Sequence, residues 1–278
     1  MKHFTEQALF AVSHAYPFGK YENWVTCRRY LPHAYAVLEL EGSRSKDEKT
    51  AKASLQHNAA WFFLLQGQWK DAERLQTEAV DLRRNVLGAD HPSTLTSMAN
   101  LALTYRDQGR WEEAEKLEVQ VIETRKMKLG ADHPDTLTNM GNLASTYRNQ
   151  GRWEEARNLF VQVMETSKTK LGADHPDTLT SMGNLASTYR DQGRWEEAEK
   201  LEVQVMEARK TKLGADHPDT LASMHNLAFT WQEMGRYEDA SSLIQVCFTL
   251  RHRRLGPDHP RTVFTLQILQ RWNTESKL

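Results

Sequence analysis

Apolar residues recur along this chain at helical spacing, in pairs of segments separated by a short polar turn. In the stretch that starts at Pro92, the apolar positions of the first segment are Leu95, Met98, Leu101, Ala102 and Tyr105. Those of the second segment are Trp111, Ala114, Leu117, Val121 and Ile122. Steps of three and four residues place each set on one face of an amphipathic helix. The pattern predicts a helical hairpin, with helix A from Pro92 and helix B from about Trp111 to Lys128.

Residues at the turns agree with these boundaries. Gly109 ends the first apolar pattern and can take a positive φ at little steric cost. Pro92 suits the first turn of a helix, where a backbone N–H has no intrahelical partner. Asp90, Ser93 or Thr94 can cap helix A.

The hairpin repeats with a fixed period. The string LGADHP starts at Leu87, Leu129, Leu171 and Leu213, and its variant LGPDHP starts at Leu255, so the period is 42 residues. A period of this size indicates one supersecondary unit stacked as an array, which typically offers an extended binding surface.

One repeat resembles a known motif through a small set of residues: Leu101, Ala102, Tyr105, Gly109, Trp111 and Ala114. This set is similar to the tetratricopeptide repeat (TPR), and the 42-residue period with LGxDHP resembles the kinesin-light-chain subtype. The resemblance recurs around Gly67, Gly109, Gly151, Gly193 and Gly235, over about three quarters of the chain. It implies an all-α fold, a right-handed superhelical solenoid of antiparallel helix hairpins.

The repeat phase divides the chain into three parts. Residues 48–260 are expected to form five tandem 42-residue TPR units. Residues 1–47 are interpreted as a degenerate hairpin and linker, because Gly19 opens GKYEN as Gly235 opens GRYED. Residues 261–278 are expected to form a capping helix and tail, and Ser43–Lys49 a flexible joint.

Composition excludes several function classes. Lys plus Arg number 36 and Asp plus Glu number 37, so no net charge favours nucleic acid or an anionic membrane, and neither is expected as a partner. The two cysteines, Cys27 and Cys247, are too few for a disulfide framework, and no export signal or membrane span is recognisable. A cytoplasmic protein is expected.

The sequence contains no recognisable catalytic motif. No nucleophile elbow, phosphate-binding glycine loop, HExxH pair or dinucleotide fingerprint is present, so we expect neither an enzyme nor a cofactor. The histidines of the DHP turns stand one per repeat, too far apart to share a metal ion: His91, His133, His175, His217 and His259. We interpret them as structural turn residues and expect no metal.

An asparagine precedes each central glycine by nine residues, forming a ladder: Asn58, Asn100, Asn142, Asn184 and Asn226. Asparagine is a poor helix-interior residue, so its repetition needs a reason. The resemblance places helix A on the concave groove, where these amides would bind the backbone of an extended peptide. The alternative is a bridge between adjacent helices, and one residue can serve both roles.

Other residues are expected to border the same groove. Arg106, Arg148 and Arg190 follow three of the asparagines and could hold an acidic or carboxylate ligand, or could instead form ion pairs within the stack. Aromatic anchors are expected at the ends, with His57 and Trp61 at one and His225 and Phe229 at the other. The middle would be roomy and polar.

A second resemblance concerns a short stretch near the start. It rests on Phe18, Glu22, Asn23, Trp24, Cys27, Leu31, Pro32, His33 and Ala34. This stretch is similar to the one that joins the nucleotide-binding module to the repeats in fungal NB-ARC or NACHT signalling proteins. The phosphate loop of such a module is absent, so the chain is expected to be a free-standing relative or a piece of a longer receptor.

Two functions follow from these patterns. The favoured one is a non-catalytic scaffold that binds a protein or peptide partner, with an acidic stretch as one option, in the helix A groove. The alternative is the sensor arm of a nucleotide-binding signalling system. A cargo adaptor like kinesin light chain is less favoured because no heptad coiled coil precedes the repeats. Exposed end faces also allow self-association.

Overall fold

The computed structural model describes residues 2–40 and 45–275, which form thirteen α-helices and one 3-10 turn, Tyr21–Asn23. The helices of the N-terminal part are α1 Lys2–Ala15, α2 Trp24–Leu38, α3 Lys46–Leu65 and α4 Trp69–Leu87. Those that follow are α5 Pro92–Asp107, α6 Trp111–Leu129, α7 Pro134–Asn149, α8 Trp153–Leu171, α9 Pro176–Asp191 and α10 Trp195–Leu213. The last are α11 Pro218–Glu233, α12 Tyr237–Leu255 and α13 Pro260–Glu275.

Within each of the two compact units described below, helices form hairpins that pack in chain order, and the fold is all-α as predicted. Within hairpins, α3 packs on α4, α5 on α6, α9 on α10 and α11 on α12. Between hairpins, helix B packs on the next helix A, as α4 does on α5 and α10 on α11. The chain divides within α7 into two compact units, one up to Thr146 and one from Tyr147.

Local chemistry sets both ends of the helices A that follow a DHP turn. At the start of each, the ring Nδ1 of the DHP histidine accepts the backbone N–H two residues on; His91 accepts that of Ser93 at 3.1 Å. Histidine, not the predicted Asp90, Ser93 or Thr94, is therefore the cap. At its end Gly109 takes a φ of 78°, and the Arg110 guanidinium lies 4.1 Å from the centre of the Tyr105 ring.

Small residues permit the close approach of the two helices in a hairpin. Ala102 on α5 and Ala114 on α6 are both fully buried, as are Ala186 on α9 and Ala198 on α10. Larger apolar side chains fill the space around them. A bulky side chain at Ala114 is expected to overpack this contact.

The segment that precedes the first full repeat differs from its sequence prediction. The Ser45 hydroxyl accepts the Glu48 backbone N–H, and the Glu48 carboxylate accepts that of Ser45, a capping box that starts α3. The prediction of a flexible joint over Ser43–Lys49 is therefore wrong from Ser45 onward, because this reciprocal cap fixes the first turn of the helix. Ser43 and Arg44 lie outside the described residues.

The final helix covers the apolar face of the last full hairpin. Ile268, Leu269 and Trp272 of α13 are buried against Ala228 and Ile244. Among the described helices, none is both long enough and apolar enough to cross a lipid bilayer.

Candidate functional site

The asparagine ladder lies on the five helices A, and all five side chains are partly exposed. Side-chain hydrogen bonds divide them into two groups. The side-chain amides of the first group bond to other parts of the chain, and those of the second group do not.

Asn58 and Asn100 bridge elements of the first unit. Asn58 Nδ2 donates to the carbonyl oxygen of Tyr16 at 3.3 Å, across the gap between α3 and the residue after α1. Asn100 Nδ2 lies 3.4 Å from His57 Nε2 and links α5 to α3. At these two residues the amide makes a bridge of the kind that the alternative describes, and partner binding by them stays a prediction.

Asn142, Asn184 and Asn226 differ, because their side-chain amides make no hydrogen bond to any described residue. Next to Asn142 and Asn184, the helix surface is open. A Cβ atom added to Gly141 on α7 or Gly183 on α9 would meet nothing within 4 Å. Both glycines therefore leave open space beside an amide that can donate and accept.

The three arginines lie next to acidic side chains. Arg106 Nε is 3.9 Å from Asp107 Oδ1, and Arg148 Nε is 3.3 Å from Asp191 Oδ2. Arg190 Nη1 is 3.7 Å from Glu202 Oε1 and donates to the Asn226 carbonyl oxygen at 3.3 Å. These contacts correspond to the ion-pair alternative, since a guanidinium held in this way has less freedom to bind a partner.

The predicted aromatic anchor Trp61 is covered on one side by the chain itself. The Phe18 ring stacks on Trp61 with centroids 5.2 Å apart and an interplanar angle of 21°. Phe18 also lies 6.3 Å from the His57 ring. Trp61 thus contributes to packing at the N-terminal end of the first unit.

In the second unit, His225 and Phe229 lie against α13. Their ring centroids are 4.9 Å apart, and the Phe229 and Trp272 rings form a T-shaped pair with centroids 5.3 Å apart. Phe264, which is 53% exposed, lies 5.7 Å from His225. Burial, and then the positive charges of Arg251 and Arg190, lower the pKa of His225 to about 4, so its ring is neutral at physiological pH.

Two buried carboxyl groups were missed by sequence reasoning. Glu118 on α6 and Glu202 on α10 are 1% and 2% exposed, and their oxygens lack hydrogen-bond partners. Burial raises the pKa of Glu118 to about 7, and Thr146 and Arg106 lower it only in part. Burial likewise raises the pKa of Glu202.

The residues at the corresponding positions of the other repeats indicate this burial. Glu118 and Glu202 stand where other helices B have Gln76, Phe160 and Ile244. A position occupied by Phe in one repeat and by Ile in another indicates a core site. Aligning the repeats would therefore have marked both glutamates as buried.

The turn histidines have a structural contact in every repeat. Nδ1 of His133, His175, His217 and His259 accepts a backbone N–H two residues on, at 3.1 to 3.2 Å. Within the residues described by the structure, no group of three His, Cys, Asp or Glu side chains could hold a metal ion.

Comparison with known protein families identifies the repeats. A family model described as tetratricopeptide repeat matches residues 51–127, 120–169 and 135–211. A second model with the same description matches residues 220–261.

Two fungal proteins are similar in sequence. A crystal structure described as a Podosopora anserina kinesin light chain with nearly identical TPR-like repeats is 31% identical, covers 74% of this chain and 96% of its own, and has a TM-score of 0.61. A nucleotide-binding leucine-rich repeat (NLR)-like protein of Hyaloscypha variabilis is 42% identical over 91 residues, which are 33% of this chain. The matched region spans only 9% of that NLR-like protein.

More distant solved structures share the fold alone. BtubC from P. vanneervenii is 17% identical, with 92% of this chain and 94% of that chain covered and a TM-score of 0.63. NprR in complex with its cognate peptide NprX is 14% identical, with 98% and 73% covered and a TM-score of 0.69.

Proposed function

The chain belongs to the tetratricopeptide repeat family, and from that membership we propose that it is a non-catalytic scaffold whose helices A bind a protein or peptide partner. Repeats of this family indicate a protein interaction module. The partner and the binding surface are our own assignment. A cytoplasmic setting belongs to the same proposal and is supported by two buried, unpaired cysteines.

One observation carries the assignment of the surface. Asn142, Asn184 and Asn226 present partly exposed amides that no described residue bonds. A buried or half-buried amide without partners loses hydrogen bonds that water or a ligand must supply. The open space above Gly141 and Gly183 would let a peptide backbone come close to two of these amides.

The arginines by themselves do not support an acidic partner. Arg106, Arg148 and Arg190 each lie beside an acidic side chain. An acidic ligand would have to compete with these carboxylates. If it did so, partner capture would weaken as salt rises, because exposed charge pairs are screened.

The first prediction tests the surface. Replacing Asn142 and Asn184 together by alanine should reduce capture of the native partner from an extract of the cells that make this protein, with mass spectrometry to identify it. Each lost amide is expected to weaken binding by about tenfold at most. Circular dichroism should show unchanged helix content.

A matched control removes the same two groups elsewhere. Asn85 on α4 and Asn158 on α8 are exposed asparagines on helices B. Their double replacement by alanine should leave capture intact. Equal capture by both double variants would overturn the helix A assignment.

The second candidate function is a sensor arm within a nucleotide-binding signalling system. The similarity to an NLR-like protein favours it. Immunoblotting of the native product distinguishes the candidates: a band well above 32.1 kDa supports the sensor arm, and a band at that mass supports the free-standing scaffold.

A further inference from the structure

A non-helical segment of the chain, residues 16–20, accepts hydrogen bonds from side chains at its backbone carbonyl groups. Asn58 Nδ2 donates to the Tyr16 carbonyl at 3.3 Å, Asn23 Nδ2 to that of Phe18 at 2.8 Å, and Trp24 Nε1 to that of Gly19 at 3.2 Å. A Cβ atom on Gly19 would lie 2.6 Å from the Phe62 backbone. The segment is therefore in close contact with α3.

Three residues of α3 make the polar and aromatic contacts with this segment. Asn58 binds a carbonyl, Trp61 stacks on the Phe18 ring, and His57 lies beside the same ring. We call His57, Asn58 and Trp61 the α3 contact set. In this set, a ladder asparagine binds a backbone carbonyl of the segment while a neighbouring aromatic residue stacks on one of its side chains.

The same pattern returns four periods later on α11, as His225, Asn226 and Phe229, which we call the α11 contact set. The intervening helices A lack it. They carry Ala99 and Leu103 on α5, Gly141 and Ser145 on α7, and Gly183 and Ser187 on α9. Within the ladder, an aromatic ring accompanies the asparagine at α3 and α11.

In the α11 contact set, the polar groups are unpaired. Asn226 makes no side-chain hydrogen bond to a described residue, and His225 Nδ1 is buried without a partner. His57, by contrast, lies 3.2 Å from Gln76 Nε2 and 3.4 Å from Asn100 Nδ2. Ile244 and Ile268 occupy the corresponding positions around His225, and neither can bond the imidazole.

An apolar surface lies beside these unpaired groups. The Phe264 ring is 53% exposed and 5.7 Å from His225, and Phe229 is partly exposed. An aromatic side chain from a partner would gain both area and ring contacts there. The surface thus offers one open amide and adjoining aromatic rings, with the buried Nδ1 atom of His225 beneath them.

We propose that the α11 contact set binds a non-helical peptide segment that presents a backbone carbonyl to Asn226 and, two residues later, an aromatic side chain to Phe229 and Phe264. Tyr16 and Phe18 present these groups to α3 in the same order. The inference rests on the proposed scaffold function and names the chemistry of one partner segment. That segment needs no acidic residue.

A peptide taken from this chain serves as the probe for binding to the α11 contact set. A fluorescently labelled peptide of residues 14–20, HAYPFGK, is titrated with the full-length protein and followed by fluorescence polarisation. Saturable binding is expected, and replacing the peptide Phe by Ala should weaken it by roughly tenfold or more. No binding up to millimolar protein, or equal binding of the two peptides, overturns the proposal.

Two variants of the full chain test where on the protein the peptide binds. Asn226→Ala should weaken peptide binding by about tenfold, because one hydrogen bond to the peptide backbone is lost. Asn158→Ala removes the same side-chain amide from an exposed position on helix B α8, outside the proposed binding surface, and should leave the affinity unchanged. Equal affinities for the two variants, both folded by circular dichroism, contradict the proposal.

A cross-linking experiment locates the peptide directly. With benzoylphenylalanine in place of the peptide Phe, cross-links should fall within Pro218–Glu233 or Pro260–Glu275. Cross-links confined to Lys46–Leu65 would show exchange with the chain's own segment on α3 and would overturn the assignment to α11. If native partner capture still depends on Asn142 and Asn184, only this inference fails, and the scaffold proposal stands.

Discussion

At the scale of single residues, the buried carboxyl groups make stability depend on pH. Glu118 is 1% exposed, its oxygens have no hydrogen-bond partner, and its pKa is raised to about 7. In an unfolded chain its pKa would be near 4.5. The folded state therefore holds a proton that the unfolded chain releases at neutral pH, and stability falls as pH rises from about 4.5 through 7.

Replacing Glu118 by glutamine should remove this pH dependence. Gln76 stands at the same position of the first full repeat, is 2% exposed, and donates to the Ser97 carbonyl at 3.0 Å. We expect Glu118→Gln to raise the free energy of unfolding by up to about 3 kcal/mol at pH 8 and to change it little at pH 4. Urea unfolding at both pH values measures the difference.

A control variant separates the effect of burying a carboxyl group from the effect of removing one negative charge. Glu123→Gln removes the same charge from an exposed position of α6 and should leave the free energy of unfolding almost unchanged at either pH. If Glu118→Gln and wild type keep a constant difference from pH 4 to pH 8, the carboxyl group of Glu118 does not titrate in this way.

At the scale of elements, buried arginines join successive hairpins. Arg83 on α4 donates to Ser97 Oγ at 2.6 Å and to the Ser93 carbonyl at 3.1 Å on α5, and to Ser54 Oγ at 3.4 Å on α3. Arg125, Arg209 and Arg251 occupy the same position of later repeats, but α8 has Ser167 there. Four joints therefore have a guanidinium clamp, and one does not.

Removing a clamp should destabilise the joint. Arg83→Met leaves partly buried acceptors on α3 and α5, and the buried Ser97 hydroxyl, without this donor and should lower the free energy of unfolding by about 1 to 3 kcal/mol, measured by urea denaturation. Ser167→Ala, at the equivalent position of α8, should cost roughly 0.5 kcal/mol or less. Similar losses for both variants would mean that the arginine contacts do not join the hairpins.

The sequence predicts most of the elements but fewer of the contacts. Helix ends could be predicted because Gly109 and the DHP turns act locally. The bond from Asn58 to Tyr16 could not, because it joins residues 42 positions apart in a region where the period breaks. Glu118 could not be assigned from one repeat, since glutamate in an amphipathic helix ordinarily faces solvent.

At the scale of the whole molecule, the repeats provide a series of similar positions rather than one deep site. Within each unit, neighbouring hairpins pack on one another, and the helices A carry partly exposed polar groups at equivalent positions. Differences between repeats then decide function. Asn58 and Asn100 make side-chain hydrogen bonds within the chain, whereas the side-chain amides of Asn142, Asn184 and Asn226 make none to a described residue, and we propose that these three bind a partner.

The side-chain amide signals of asparagine test this claim most directly. In ¹H–¹⁵N correlation spectra of the full chain, assigned by single Asn→Ala substitutions, addition of the captured partner should shift the amide signals of Asn142, Asn184 or Asn226. The signals of Asn85 and Asn158 on helices B should stay in place. Shifts confined to Asn85 and Asn158 would contradict binding through helices A.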